Sequence, residues 1–530
     1  MSGPKASDAQ RACGDDESAP ARRNESGTFP WASSSSERLF AAGAATLFFV
    51  AVLRFGWMSD DAFIALRAAQ NFIHGHGLVS NPGERVQAFT NPLWVLLLLA
   101  PYALLRNAYW TALSMSLVCT ALSAWLIGRR REASFAPAVT LVLLAASHSF
   151  VVFSTSGLEN TLAHLLLAAL VLESFRANGV RARLWFVLAG LLVLNRMDLG
   201  LLVLPGLVLE ARALGIRNAA RLALYAFAPL VVWLAFATSY YGFPFPNTAY
   251  AKLNLAVPRA DVLLQGISYL VDAALRDPLV PIVILLGVLT SVRRGRSART
   301  IAAALGVVLY LLYVVAIGGD FMSGRFLTAP YLVMVLLVAE SLRTAQPIAS
   351  ALAAGAALAI AVPGLRRMPV DVQTSCHVPP SGIVDERDCY AEHTGIAQNF
   401  RKPKYKTHPY YADGLKWRAA GEPQISTLVG MSGVAAGPGV HIIDAYGLTD
   451  PLIARIRFDA RDFRIGHLRR SVPEGYVETV KSGENRLRDP CLKDLYDDLA
   501  LITRASLFAP GRWSAIWRTN FVRRSCSAAS

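Results

Sequence analysis

Two adjacent carboxylates, Asp60 and Asp61, open the polar stretch M-S-D-D-A-F-I-A-L-R-A-A-Q-N-F-I-H-G-H-G-L-V-S-N-P-G-E-R-V-Q-A-F-T-N-P-L-W, which runs from Met58 to Trp94 between two long apolar runs. A carboxylate at a membrane surface is where a membrane enzyme would keep a general base. The plainer reading is a helix start, since acidic side chains favour a first helical turn. Two neighbouring acids repel, which raises the pKa of one of them unless their side chains point apart.

The elements around the pair argue for more than a helix start. From Ala62 to Ile73, the apolar residues Phe63, Leu66, Ala69, Phe72 and Ile73 recur at helical spacing, with Arg67, Gln70, Asn71 and His74 between them. This predicts a short amphipathic helix lying on the bilayer. Gly75, Gly77, Pro82 and Gly83 then force turns that fold the chain back over the carboxylates.

Composition sets the class. The 530 residues are 54% hydrophobic and 17% charged, with a formal charge of +15, and apolar runs long enough to cross a bilayer recur through the first two thirds. Much of the basic excess lies in short loops between these runs, so topology explains it and a nucleic-acid partner is not expected. Residues 1–37 are polar, lack apolar periodicity and read as a disordered cytoplasmic tail. No signal peptide pattern is present, so Leu39–Trp57 is a true first span.

Placing the basic clusters near Arg129, Arg176, Arg212, Arg293 and Arg343 in the cytoplasm turns the loops at Ser154–Asn160, Asn195–Asp198, Tyr240–Asp277 and Gly318–Arg325 outward, together with Asp60 and Asp61. Parity requires Pro92–Leu105 not to cross, and Leu184–Ala211 to be a hairpin of two short helices broken at Asn195, Arg196 and Asp198. The expected architecture is an all-α multi-pass bundle of about eleven spans over residues 38–362, with 58–94 as its outer loop. A soluble mixed α/β extracytoplasmic domain over 363–530 follows. Ile425–Val429 and Val440–Ala445 are its candidate strands, and Ala391–Phe400, Leu492–Ile502 and Ser514–Phe521 its candidate helices. Cys376 and Cys389 would close a short loop in an oxidising compartment. Spacing gives no structural zinc site.

Taken in order, D-D-A-F-I-A-L-R-A-A-Q-N, G-H-G-L-V-S-N-P-G-E-R-V-Q-A-F-T-N-P-L-W, S-G-L-E (Ser156–Glu159), N-R-M-D (Asn195–Asp198), Y-Y-G-F-P-F-P-N-T-A-Y-A-K (Tyr240–Lys252) and G-G-D-F-M-S-G-R (Gly318–Arg325) resemble the GT-C superfamily of integral membrane glycosyltransferases. Within it the sequence is most similar to the terminal beta-(1,2)-arabinofuranosyltransferases of actinobacterial cell walls. The stretches I-I-D-A-Y-G-L-T-D (Ile442–Asp450) and R-I-G-H (Arg464–His467) share the likeness, which covers most of the chain after residue 38.

The resemblance implies transfer of a sugar, arabinofuranose by the nearest likeness, from a polyprenyl-phosphate donor. The acceptor is a cell-envelope glycan, lipid or protein at the outer face of the bacterial plasma membrane, and transfer inverts the sugar. Asp60, matching the first acid of the loop motif, is the expected base, with Asp61 as second choice or as orienter of the acceptor or a metal. Cations oppose the charge that grows on a phosphate leaving group. Lys252, Arg325 and Arg196 are the candidates, with snorkelling at the interface as the plainer alternative.

Asn247, Glu159, His74, Asn91 and Asp320 are candidate sugar or acceptor contacts. Against these stand helix capping for Asn247, a helix-dipole role for Glu159 and an ion pair with Arg325 for Asp320. His76, lying between glycines, and Asp198, as partner of Arg196, are weighed in the same way. Asp444, Asp450 and His467 could bind acceptor or close the site from above, with structural loop roles as the plainer reading. No cofactor is fixed, and a divalent metal is left open because the superfamily includes dependent and independent enzymes. Donors carrying a mannose-like or aminoarabinose-like sugar are the alternatives within this chemistry. A lipid-sugar transporter or flippase is the alternative outside it, and would place its charges near the midplane of repeated halves.

Overall fold

The structure, a computed structural model, describes residues 35–129, 135–176, 179–254, 256–293, 297–342, 378–458 and 463–522, together with 352, 354–356, 359, 376 and 526. The tail up to residue 34 and almost all of the expected span Ile348–Val362 lie outside the described residues.

The first part of the chain is helical throughout. In order it contains α1 (Ser35–Phe55), α2 (Asp60–Ile73), α3 (Pro92–Leu105), α4 (Ala108–Gly128), α5 (Ala136–Ala146), α6 (Asn160–Ser174), α7 (Ala182–Asn195), α8 (Gly200–Leu214), α9 (Ile216–Tyr240), α10 (Arg259–Arg276), α11 (Leu279–Ser291), α12 (Ala298–Ala316) and α13 (Thr328–Leu342). Helices α1, α4, α9 and α12, and the helical stretch Arg325–Leu342 that contains α13, are long and apolar enough to cross a membrane. The pair α10 and α11, bent by 105°, passes the same test as one broken span. The apolar helices α3, α5, α6 and α7 are shorter. The chain is therefore a multi-pass membrane protein in which full spans alternate with short or broken ones. The expected break at Asn195–Asp198 is present, as a 3-10 turn over Met197–Leu199 between α7 and α8.

The later part holds α14 (Glu386–Thr394), α15 (Pro409–Ala420), β1 (Gln424–Ser426), α16 (Met431–Ala436), β2 (Ile442–Asp444), α17 (Pro490–Thr503) and α18 (Arg512–Phe521). β1 and β2 pair in parallel, with Ile425 opposite Ile443. Among the described residues this two-stranded ribbon is the whole of the sheet, so the mixed α/β content expected here reduces to three residues per strand. Asp385 and Asp489 cap α14 and α17 by accepting the amides of Arg387 and Leu492. Disulfides join Cys376 to Cys389 and Cys491 to Cys526.

α2 is more enclosed than its amphipathic pattern alone would suggest. It begins at Asp60, capped by the Ser59 hydroxyl, and packs against α3, α4 and α16. Its polar residues are covered too: Arg67 is 1% exposed and Asn71 is fully buried. Arg67 donates to the carbonyls of Ser80 (2.7 Å) and Val440 (2.9 Å) and to that of Gly433, while the Asn71 amide donates to the carbonyls of Val79 and Ser80. The amphipathic pattern was real, but its polar face meets peptide carbonyls rather than water or lipid headgroups.

Candidate active site

The site gathers at the N-terminal end of α2. Ser59 is fully buried; its amide donates to the Ser156 carbonyl at 3.0 Å, its hydroxyl accepts the Asp61 amide at 3.2 Å and donates to Glu386 Oε2 at 2.9 Å. The S-G-L-E loop closes against it at Gly157, whose φ of +77° suits glycine and where a Cβ would stand 2.9 Å from that of Ala62.

The two aspartates are treated differently. Asp60 Oδ1 accepts the Met431 amide at 2.7 Å, and Gly430 packs so closely that a Cβ there would sit 2.1 Å from the Asp60 carbonyl oxygen. Burial, partly offset by these amides, pushes the Asp60 carboxyl up to about 7. Asp61 is half-buried. Among the described residues its carboxylate has no hydrogen-bond or ion-pair partner. Burial raises its pKa, opposed by Arg325 and Lys252 and reinforced by Asp320 and Glu159. Glu386, held well above the usual carboxylate range by burial and by Asp61, completes a trio of acids.

Beside this trio lies a second set of charges that neutralise one another. Glu159 Oε1 takes Arg196 Nη1 at 3.3 Å and Arg325 Nη2 at 3.1 Å, while Oε2 accepts the Asn91 amide at 2.7 Å. Arg196 also forks onto Asp198 at 3.1 and 2.6 Å and stacks on the Phe326 ring at 4.8 Å. Arg325 stands 3.5 Å from Asp320 Oδ2. Asp320 Oδ1 accepts the Phe321 amide at 2.9 Å.

The sequence-predicted residues thus sort themselves. Asp60, Asp61, Glu159, Asn91, Arg196, Arg325 and Asp320 come together, and Lys252, exposed, joins them through its field at Asp61. Asn247 is engaged with the later part of the chain: its amide donates to the carbonyls of Gly447 (2.8 Å) and Asp450 (2.9 Å), and its oxygen accepts Arg455 at 3.1 Å. His74 is exposed at the far end of α2, with Nδ1 2.7 Å from the Gln70 carbonyl oxygen. Thirteen residues separate it from Asp61, about 20 Å of helix, so it stands outside the cluster. Asp444 and Asp450 accept amides of their own loop, as their structural reading required.

Sequence reasoning missed Glu386 and the Gly430–Met431 amides. The D-E-R-D-C stretch offered an acid near a cysteine but nothing linking it to residue 59, and a peptide N–H has no signature in a sequence at all. Among the described residues no group of three or more His, Cys, Asp or Glu side chains is placed to hold a metal ion.

No protein-family model matches the chain. A terminal beta-(1->2)-arabinofuranosyltransferase of Mycobacterium tuberculosis is 30% identical over 525 residues, which covers 79% of this chain and 82% of that protein. A protein of the same name from Corynebacterium glutamicum is 29% identical over 331 residues, 53% of this chain and 47% of its own length. Among solved structures, ArnT from Cupriavidus metallidurans bound to undecaprenyl phosphate aligns with a TM-score of 0.48 at 15% identity, covering 79% of this chain and 88% of that one. Its apo form gives 0.44. With the M. tuberculosis protein matched at 30% across four fifths of both lengths, this membrane-embedded chain belongs to the terminal beta-(1->2)-arabinofuranosyltransferase family of glycosyltransferases.

Proposed function

We propose that this glycosyltransferase moves arabinofuranose, the sugar for which both relatives are named, from a polyprenyl-phosphate donor to a hydroxyl of a cell-envelope acceptor, with inversion. The observation that carries the reading is the Asp61 carboxylate. It is half-buried, has no hydrogen-bond or ion-pair partner among the described residues, and burial raises its proton affinity against the opposing fields of Arg325 and Lys252.

In this mechanism Asp61 takes the proton of the acceptor hydroxyl as its oxygen bonds to the anomeric carbon. The bond from that carbon to the phosphate oxygen breaks on the opposite face, and polyprenyl phosphate leaves with the electron pair. Lys252, the exposed cation, meets the departing phosphate, and Arg325 supplies further positive potential while remaining bound to Glu159. The geometry favours Asp61 over Asp60 as base, because Asp60 already accepts the Met431 amide beneath α16. Arg196, forked onto Asp198 and bonded to Glu159, holds the site's shape rather than the phosphate.

The same reading puts the site and residues 363–530 on the outer side of the plasma membrane, with residues 1–37 inside and 38–362 as a GT-C type bundle. Two disulfides in the later part agree with an oxidising compartment.

The test is transfer by the purified full-length protein from synthetic polyprenyl-phosphate arabinofuranose to arabinan oligosaccharides, run beside Asp61→Asn and Asp60→Asn, with and without chelator. Transfer by the parent and loss of turnover in Asp61→Asn, with folding retained, support the reading. Turnover of a different polyprenyl-linked sugar but not of this one overturns the donor assignment.

A further inference from the structure

Helix α18 carries an uncovered aromatic stripe. Trp513, Trp517 and Phe521 recur every four residues, which sets them along one face, and they are 58%, 61% and 66% exposed; Phe508, just before the helix, is 93% exposed. The opposite face secures the helix. Ala515 and Ile516 are buried. The buried Arg512 donates to the Ile502 carbonyl at 3.0 Å and the Tyr240 carbonyl at 3.1 Å, and the Asn520 amide donates to the Gly242 carbonyl at 3.0 Å.

Those last two acceptors fix the height of the stripe. Tyr240 ends α9, a span whose outward side exposes Val231, Val232 and Phe236. Its final turns form an interlocked ring cluster: Trp233 with Phe236 at 5.4 Å, Phe236 with Tyr240 at 5.2 Å and Tyr240 with Tyr241 at 4.9 Å. Trp233 and Tyr241 are buried within it, while Phe236 is 39% exposed and Tyr240 half-buried at the end of the span, where aromatic side chains are enriched at the membrane–water boundary. A helix bonded to the carbonyls of Tyr240 and Gly242 lies within about one helix diameter, ~10 Å, of that boundary. Phe245, 50% exposed, continues the apolar surface past the end of α9.

We propose that α18 is an in-plane membrane anchor whose Trp513, Trp517 and Phe521 face, extended by Phe508, inserts into the headgroup–acyl boundary of the leaflet at the outer end of α9. Two observations favour lipid over a sugar chain stacked on the rings. The helix that carries the stripe is bonded to the end of α9, whose exposed side chains include Val231, Val232 and Phe236, and polar side chains flanking the stripe are tied to protein: Arg518, itself 41% exposed, to Asp498 and Asn520 to Gly242. The Cys491–Cys526 disulfide joins the start of α17 to a residue five positions past the end of α18, which ties the two helices together covalently.

The full-length protein in nanodiscs of phosphatidylglycerol and phosphatidylcholine tests this. The phosphatidylcholine is brominated either just below the glycerol or near the chain ends, and the parent is compared with Trp513→Phe/Trp517→Phe. The fluorescence difference between the two proteins isolates the stripe among the ten tryptophans. Shallow bromine is expected to remove most of that difference signal, with deep bromine and aqueous iodide removing little. A difference signal untouched by either lipid and quenched by iodide overturns the anchor. So does one that responds to added arabinan oligosaccharide instead of bromolipid, which would mark a glycan platform.

Discussion

Two clusters of charge lie side by side in this protein and follow opposite rules. Around Glu159, three acids and two guanidinium groups are closed into a network of forks and ion pairs, so each buried charge faces an opposite one. Around Ser59, among the described residues, Asp60 is met by a backbone amide, Glu386 by a hydroxyl and the Asp61 carboxylate by no hydrogen-bond partner, and burial raises the pKa of all three. The first arrangement has its charges settled and therefore defines shape. The second leaves protons unsettled, and it is there that the proposed mechanism puts proton transfer.

The sharpest test of this contrast is Asp61→Asn, which removes the unpartnered acid. Transfer should fall by ~10²–10⁴-fold, the usual contribution of a general base, measured as product per enzyme with circular dichroism unchanged. Asp60→Asn keeps an oxygen for the Met431 amide and should cost at most about tenfold, the scale of one weakened hydrogen bond. The reverse order of these two effects would hand the role of base to Asp60.

In the closed cluster, Glu159→Gln leaves two buried guanidinium groups short of a counter-charge. A loss of ~3–5 kcal/mol is expected, read as a fall in Tm of the detergent-solubilised protein. A silent Glu159→Gln would break the claim that this cluster holds shape.

The open cluster should also show itself in pH dependence. Asp60, pushed up to about 7 in the fold from an ordinary 3.8, keeps its proton where the unfolded chain releases it. The folded state therefore binds more protons between those values, and stability falls as pH rises from about 4 to about 7, then levels. Asp60→Asn should flatten that window in a series of melting curves, and an unchanged slope would assign it to other groups. The smallest effect is expected at His74, outside both clusters: His74→Ala should leave transfer unchanged and stability within about 0.5 kcal/mol.

Much of this was legible in the sequence where residue type and local spacing carry the information. The start of α2 at paired acids, the break between α7 and α8, the two strands and the Cys376–Cys389 loop are all local patterns. The pairing of Arg196 with Asp198 and of Arg325 with Asp320 follows from neighbours within one motif. The protein partners of Asn247 were out of reach because they are carbonyls some 200 residues away, and a carbonyl looks alike behind every side chain. The amphipathic face of α2 was assigned to the bilayer because periodicity records that a polar face exists, not what covers it. Glu386 escaped because nothing near it in the chain hints at Ser59.

The two bonds that complete the open cluster, Ser59 to Glu386 and Met431 to Asp60, join residues 327 and 371 positions apart. Ribosomal synthesis is directional, so the chain's carboxylates are made and inserted long before the segments that cover them. A nascent chain that has not yet passed residue 431 carries Asp60 and Asp61 without their roof. Contacts of such separation form slowly because the intervening loop must close first. Membrane insertion therefore precedes the closing of this cluster, which waits for residues 386 and 431 to be delivered and to settle onto it.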